Sequence, residues 1–201
     1  MYDFLHFALK NKLLSGLVSL ECSPDNNIRE LERILKACSA TLRHVIFHVS
    51  ISLKYALLFP SLVNNIALET LHLNVSPLAP EAAHLLPHWL RKGTTRSFKV
   101  ISFSYFSNFH DLTPEGFEEK LKELDEVLSS PAFPWLSRFQ FQPRLIHHRP
   151  RRCEETQKKV RAIFPKLIKR GVFWIGIHMP RGQMDPEAVH VLPTDCDDYE
   201  L

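Results

Sequence analysis

The chain has 201 residues, 45% hydrophobic and 23% charged: enough apolar material for one domain-sized core and too much for a disordered chain. Its formal charge of +3, with eleven histidines counted as neutral, is too balanced to argue by itself for a nucleic-acid partner. No apolar stretch reaches the roughly 18 residues that a membrane span requires.

The opening residues, MYDFLHFALKNKLL, lack a basic leader and are interrupted by Asp3, His6 and Lys10, so they make a poor secretory signal. Residues 1–14 read as an N-terminal helix or the remnant of a preceding domain. From Leu17 onward a pattern of apolar-x-x-apolar-x-apolar organises the chain. It first appears as Leu17-Leu20-Cys22, and after a polar start at Asp25–Asn27 a helical spacing follows through Ile28, Leu31, Ile34, Leu35 and Cys38. The pattern returns as Leu42-Val45-Phe47 and again as Leu68-Leu71-Leu73. Pro80 then opens a helix that Pro87 is expected to break near its midpoint.

A fourth copy is Phe98-Ile101-Phe103. Next comes the cleanest amphipathic helix, with Phe117, Leu121, Leu124, Val127 and Leu128 on one face, Thr113 as N-cap and Pro114 in its first position. Leu136-Phe139-Phe141 is the fifth copy. A basic run from Arg144 to Arg152 (RLIHHRPRR) reads as a loop, and Val160, Ile163 and Phe164 mark a helix ending near Pro165. Gly171 precedes the sixth copy, Val172-Ile175-Ile177, and residues 181–201 read as a flexible acidic tail.

Successive copies begin 25, 26, 30, 38 and 36 residues apart; the early spacings match the leucine-rich-repeat range of about 20–29 residues. Side chains of an extended strand alternate between faces, so the fourth and sixth positions point the same way, and the first turns inward where the strand begins. One such unit cannot cover its own apolar face, so neighbours must stack. The expected fold class is therefore α/β: a leucine-rich-repeat-like solenoid over residues 15–180, with a curved parallel sheet, outer helices and about six degenerate repeats. An ordinary α/β sheet buried on both faces calls for continuous apolar strands, whereas these alternate with polar residues. The Asn or Cys that typically follows each strand is absent: Asp25, Ser50, Ser76, Phe106, Arg144 and Pro180 stand there, predicting irregular turns.

Positions three, five and seven then face outward and form a surface rich in histidine and nearly free of carboxylates. Six of them, His44, His48, His72, Arg138, Gln140 and Trp174, are residue types suited to anchoring a protein partner. No metal, cofactor or catalytic site is expected. His84 and His88 are four apart, but the helix lacks the glutamate of HExxH and carries Pro87 between them, and His147-His148 are adjacent. The four cysteines Cys22, Cys38, Cys153 and Cys196 form no CxxC pair and read as reduced thiols of a cytoplasmic or nuclear protein. GxSxG, GxxxxGK[ST] and GxGxxG are all missing. The Arg144–Lys159 segment supplies the competing reading, a nucleic-acid-associated protein, although it lacks interleaved aromatics for stacking bases.

Three phrases running helix, turn, strand carry a family resemblance: Leu35–Val45 (LKACSATLRHV), Leu128–Leu136 (LSSPAFPWL) and Phe164–Gly171 (FPKLIKRG). Across roughly residues 15–180 the chain resembles the leucine-rich region of fungal F-box proteins, particularly the large basidiomycete set. That resemblance implies a substrate-recruiting role in a cullin-type ubiquitin ligase, where an F-box holds the Skp1 adaptor. Neither the Leu-Pro pair nor the trihelical pattern of an F-box is found near the start of this sequence. The expected function is protein–protein interaction, with a repeat scaffold without a ligase link as the alternative in the same class.

Overall fold

The computed structural model describes residues 13–23, 28–49, 59–76, 80–92, 97–107, 117–145 and 150–176. Six strands, β1 (Ser19–Cys22), β2 (His44–Val49), β3 (Thr70–Val75), β4 (Val100–Ser107), β5 (Arg138–Leu145) and β6 (Phe173–Ile175), form one sheet. Every pairing is parallel, and the order in the sheet is the order in the chain, β1-β2-β3-β4-β5-β6. The helices are α1 (Ile28–Ala37), α2 (Pro80–Lys92), α3 (Phe117–Ser129), α4 (Pro150–Ile163) and α5 (Pro165–Lys169), with a 3-10 turn at Leu13–Gly16. Parallel neighbours need a long return connection; α1, α2, α3 and the α4–α5 pair lie in four of the five returns.

Alternation decides which side of the sheet is covered. β2 and β3 read half-buried, buried, half-buried along their whole length. The inward row through Val45, Leu71, Ile101 and Phe139, and the next through Phe47, Leu73, Phe103 and Phe141, join Leu31 and Leu35 of α1, Leu86 and Leu90 of α2 and Leu121 and Leu124 of α3 in one buried cluster. Full burial of each such side chain is worth roughly 1.5–3 kcal/mol. Aromatic rings thicken the C-terminal half: Phe164 lies 5.4 Å from both Phe139 and Phe141 and 5.0 Å from Phe173. The residues opening the first five units behave as their spacing predicts, with Leu42, Leu68, Phe98 and Leu136 buried and Leu17 partly so.

Three expectations fail, the first two concerning α2 and the last strand. Helix α2 runs unbroken through Pro87 to Lys92. Proline removes one ladder hydrogen bond and crowds the preceding turn; here the buried Leu86, Trp89 and Leu90 hold the second half on the core. Trp89 also stacks on Phe59 at 4.7 Å and donates from Nε1 to the Pro60 carbonyl at 3.0 Å. In the last unit the strand frame is displaced by two residues: Phe173 and Ile175 pair with Phe139 and Phe141, so Ile175 fills the sixth position, where the spacing predicts the fourth. Parity is unchanged by a shift of two, so Trp174 remains on the outward face.

The basic run is not a loop throughout. Arg144 belongs to β5, Arg151 and Arg152 belong to α4, and Lys158 and Lys159 are exposed on α4. The expected cap Thr113 with Pro114, the pair His147-His148 and the segments 1–12 and 177–201 lie outside the described residues.

In place of the Asn or Cys row that the sequence lacks, several helix-end and turn carbonyls accept from side chains of the next unit. Asn65 donates from Nδ2 to the Leu35 carbonyl in the last turn of α1 at 2.9 Å, and Ser97 Oγ donates to the Leu68 carbonyl at 2.6 Å. Arg170 reaches back to the carbonyls of Leu128, Phe133 and Leu136 at 3.0, 2.7 and 3.2 Å. Each bond supports a carbonyl at a helix end or turn, the Phe133 carbonyl also accepting from the Leu136 N–H at 3.3 Å. Helix α5 is capped at both ends: the Asp125 carboxylate of α3 accepts from the Lys166 and Leu167 N–H groups at 3.0 and 2.9 Å. At its other end Gly171, with φ of 72°, donates to the Ile168 carbonyl while Val172 donates to the Leu167 carbonyl, a glycine-closed helix end.

Candidate partner-binding face

The outward rows follow from register. Ser19, His44, Thr70, Val100 and Arg138 are aligned across five strands; Glu21, Ile46, His72, Ser102, Gln140 and Trp174 are aligned across all six. The third row holds His48, Asn74, Ser104 and Gln142. Strands are spaced about 4.8 Å apart, so β2 to β6 spans roughly 19 Å of continuous sheet. All six expected residues therefore share one surface, in two groups.

The first group centres on three histidines. His44 Nδ1 lies 2.8 Å from Thr70 Oγ1, its register partner. His48 Nε2 donates to Glu21 Oε1 at 2.7 Å, and its Nδ1 accepts from Asn74 Nδ2 at 3.4 Å, two partners that set its tautomer. His72 sits beside them, half-buried; desolvation and then the nearness of His44 lower its pKa from the ordinary 6.5. The ring is thus held neutral at physiological pH. Glu21, Thr70 and Asn74 were not among the expected anchors. Their signal is the near-constant 25- and 26-residue offset of the first three copies, which aligns equivalent positions side by side.

The second group is Arg138, Gln140 and Trp174. Arg138 Cζ lies 4.5 Å from the centroid of the Trp174 ring, a cation–π stack worth about 0.5–1 kcal/mol at an exposed site. Gln140 pairs in register with Trp174. Gln142 accepts from Ser104 Oγ at 2.8 Å, and Gly176 leaves it room, since a Cβ there would approach Gln142 Cγ to 3.4 Å.

Between the groups β4 presents Val100, Ser102 and Ser104. Ser102 and Ser104 face outward yet are buried, where the alternation alone predicts solvated residues. Their short side chains sit between the longer His72 and Gln140, and Asn74 and Gln142. The face is therefore low in the middle and higher on both sides. A rim runs beside the first row, where Glu69 meets Arg43 at 3.7 Å and Lys99 at 3.3 Å.

His84 is half-buried with its ring 6.0 Å from Phe117, whereas His88 is exposed. No group of three or more His, Cys, Asp or Glu side chains suited to a metal ion occurs among the described residues. Burial pushes the Cys22 thiol up to about 11, with Glu21 adding to the effect, and Cys38 is buried and also raised. Thiolate, not thiol, is the reactive form, so neither group is activated. No helix among the described residues is long and apolar enough to cross a membrane. Compared with protein-family models, curated proteins and solved structures, the chain matches none.

Proposed function

We propose that the chain is a leucine-rich-repeat-like solenoid that works as a protein-interaction module, presenting the open face of its sheet to a partner. The observation that carries this reading is the Arg138–Trp174 stack on that face, a large aromatic and a guanidinium already held together at 4.5 Å. Arginine and tryptophan are the residue types that dominate binding energy at interfaces. Consecutive strand order and one-sided burial support the repeat architecture, since each unit covers its neighbour and leaves its polar rows free. Recruitment of substrates to a cullin-type ubiquitin ligase is the role that best joins this architecture to the F-box resemblance.

The test is affinity capture from the native cell with the wild-type chain and the Arg138→Ala, Trp174→Ala double variant. The reading expects a partner retained by the first and lost by the second. Equal capture by both rejects the face. Skp1 and a cullin among the retained proteins support the ligase role; a face-dependent partner without them leaves an interaction scaffold with no ligase link.

A further inference from the structure

We propose that the partner offers an acidic polypeptide segment, one carboxylate of which is clamped by the Arg138 guanidinium where it lies on Trp174. The proposal rests on the protein-interaction reading and adds the chemistry of the ligand. A guanidinium stacked on an indole keeps its N–H groups in the guanidinium plane, directed outward at its edges. That fork matches the two oxygens of a carboxylate. Among the described residues no acidic side chain pairs with Arg138. The Gln140 amide stands beside Trp174 as a further polar contact.

Charge complementarity extends the argument across the face. Among the described residues the outward rows carry one carboxylate, Glu21, at the far edge of the sheet, and His48 already occupies it at 2.7 Å. Among the described residues no other carboxylate lies on those rows to repel an anion, and the imidazole N–H groups of His44, His48 and His72 add hydrogen-bond donors to the same face. Across the low middle made by Ser102 and Ser104, the histidines of β2 lie three strand spacings from Arg138 on β5, roughly 14 Å. An extended segment rising about 3.3 Å per residue covers that interval with four or five residues.

The experiment is fluorescence anisotropy with the full chain and labelled twelve-residue peptides alternating serine with glutamate, glutamine or lysine, at low salt. The glutamate peptide is expected to bind at least about tenfold tighter than the glutamine peptide. Arg138→Gln is expected to remove most of that difference, and Arg138→Lys, which keeps charge but not the fork, to restore part of it. Equal binding of the glutamate and glutamine peptides overturns the proposal, as does a glutamate preference unchanged in Arg138→Gln. Two other occupants are tested alongside. Tighter binding of a single-stranded oligonucleotide than of the glutamate peptide overturns it in favour of nucleic acid. Tighter peptide binding after Asp195→Asn, Asp197→Asn and Asp198→Asn overturns it in favour of the chain's own acidic segment. If the peptides fail while native capture still depends on Arg138 and Trp174, the acidic chemistry is wrong and the interaction reading stands.

Discussion

His72 shows how the open face of the sheet also carries a stability cost. Its neighbours on the sheet are Ile46 and Ser102, with His44 close enough to oppose its protonation, so the folded state holds its proton less firmly than the unfolded chain does. Because the unfolded state binds more protons, stability is full above pH 6.5 and falls as pH drops through that value toward the lowered one. His72→Gln is expected to flatten this acid-side slope in urea unfolding followed between pH 7.5 and 5.5; an unchanged slope assigns the dependence elsewhere. Asp125 works in the other direction. Burial raises its carboxyl above 3.8 despite two bonds from the start of α5, so its charge costs stability at neutral pH, and that cost is relieved as pH falls. The amino-acid string places His72 on the outward face but does not reveal either effect, because both depend on what the fold brings beside these residues.

At the scale of elements, apolar spacing marks where strands and helices lie, and contacts between elements decide how they end. α1 and α3 are legible from their 3.6-residue stripes, and parity alone tells inward from outward side chains on every strand. The last strand is misframed because Val172, Ile175 and Ile177 imitate the pattern as well as Phe173 and Ile175 fill it; only pairing with β5 selects the register. Pro87 misleads for the same reason, since a local penalty is outweighed by packing remote in sequence. Arg170 is the clearest case of an end tied down from afar. It occupies the turn before β6 and draws together carbonyls from the end of α3 and the turn before β5. Arg170→Ala removes the charged donor shared by these carbonyls, leaving the Phe133 carbonyl only its bond from the Leu136 N–H, and is expected to destabilise the chain by about 2–4 kcal/mol, since single bonds to a charged donor are worth about 1.5–3 and do not add fully. Arg170→Lys is expected to recover part of the loss in the same chemical-denaturation measurement; an effect of the alanine variant below 0.5 kcal/mol, the range of ordinary surface changes, removes Arg170 from the supports of this turn.

Across the whole molecule, one alternation separates what holds the chain together from what it offers. Phe141 points into the aromatic cluster with Phe103 and Phe164, and Gln140, one residue earlier, lies on the open face beside Trp174. Which residues share that face is legible in the sequence, because parity survives even a two-residue slip. Their division into a histidine group and an Arg–Trp group is less so, because the recess at Ser102 and Ser104 arises only when neighbouring strands align. The most direct test sets these adjacent positions against each other, with Gln140→Asp and Phe141→Asp compared for melting and for capture of the native partner. Gln140→Asp is expected to melt as the wild type does and lose the partner, since it adds a repelling carboxylate beside Trp174. Phe141→Asp is expected not to fold, since it buries a charge without a partner. Unfolding by both variants, or full capture by Gln140→Asp, would contradict the division of the sheet into a structural side and a binding side.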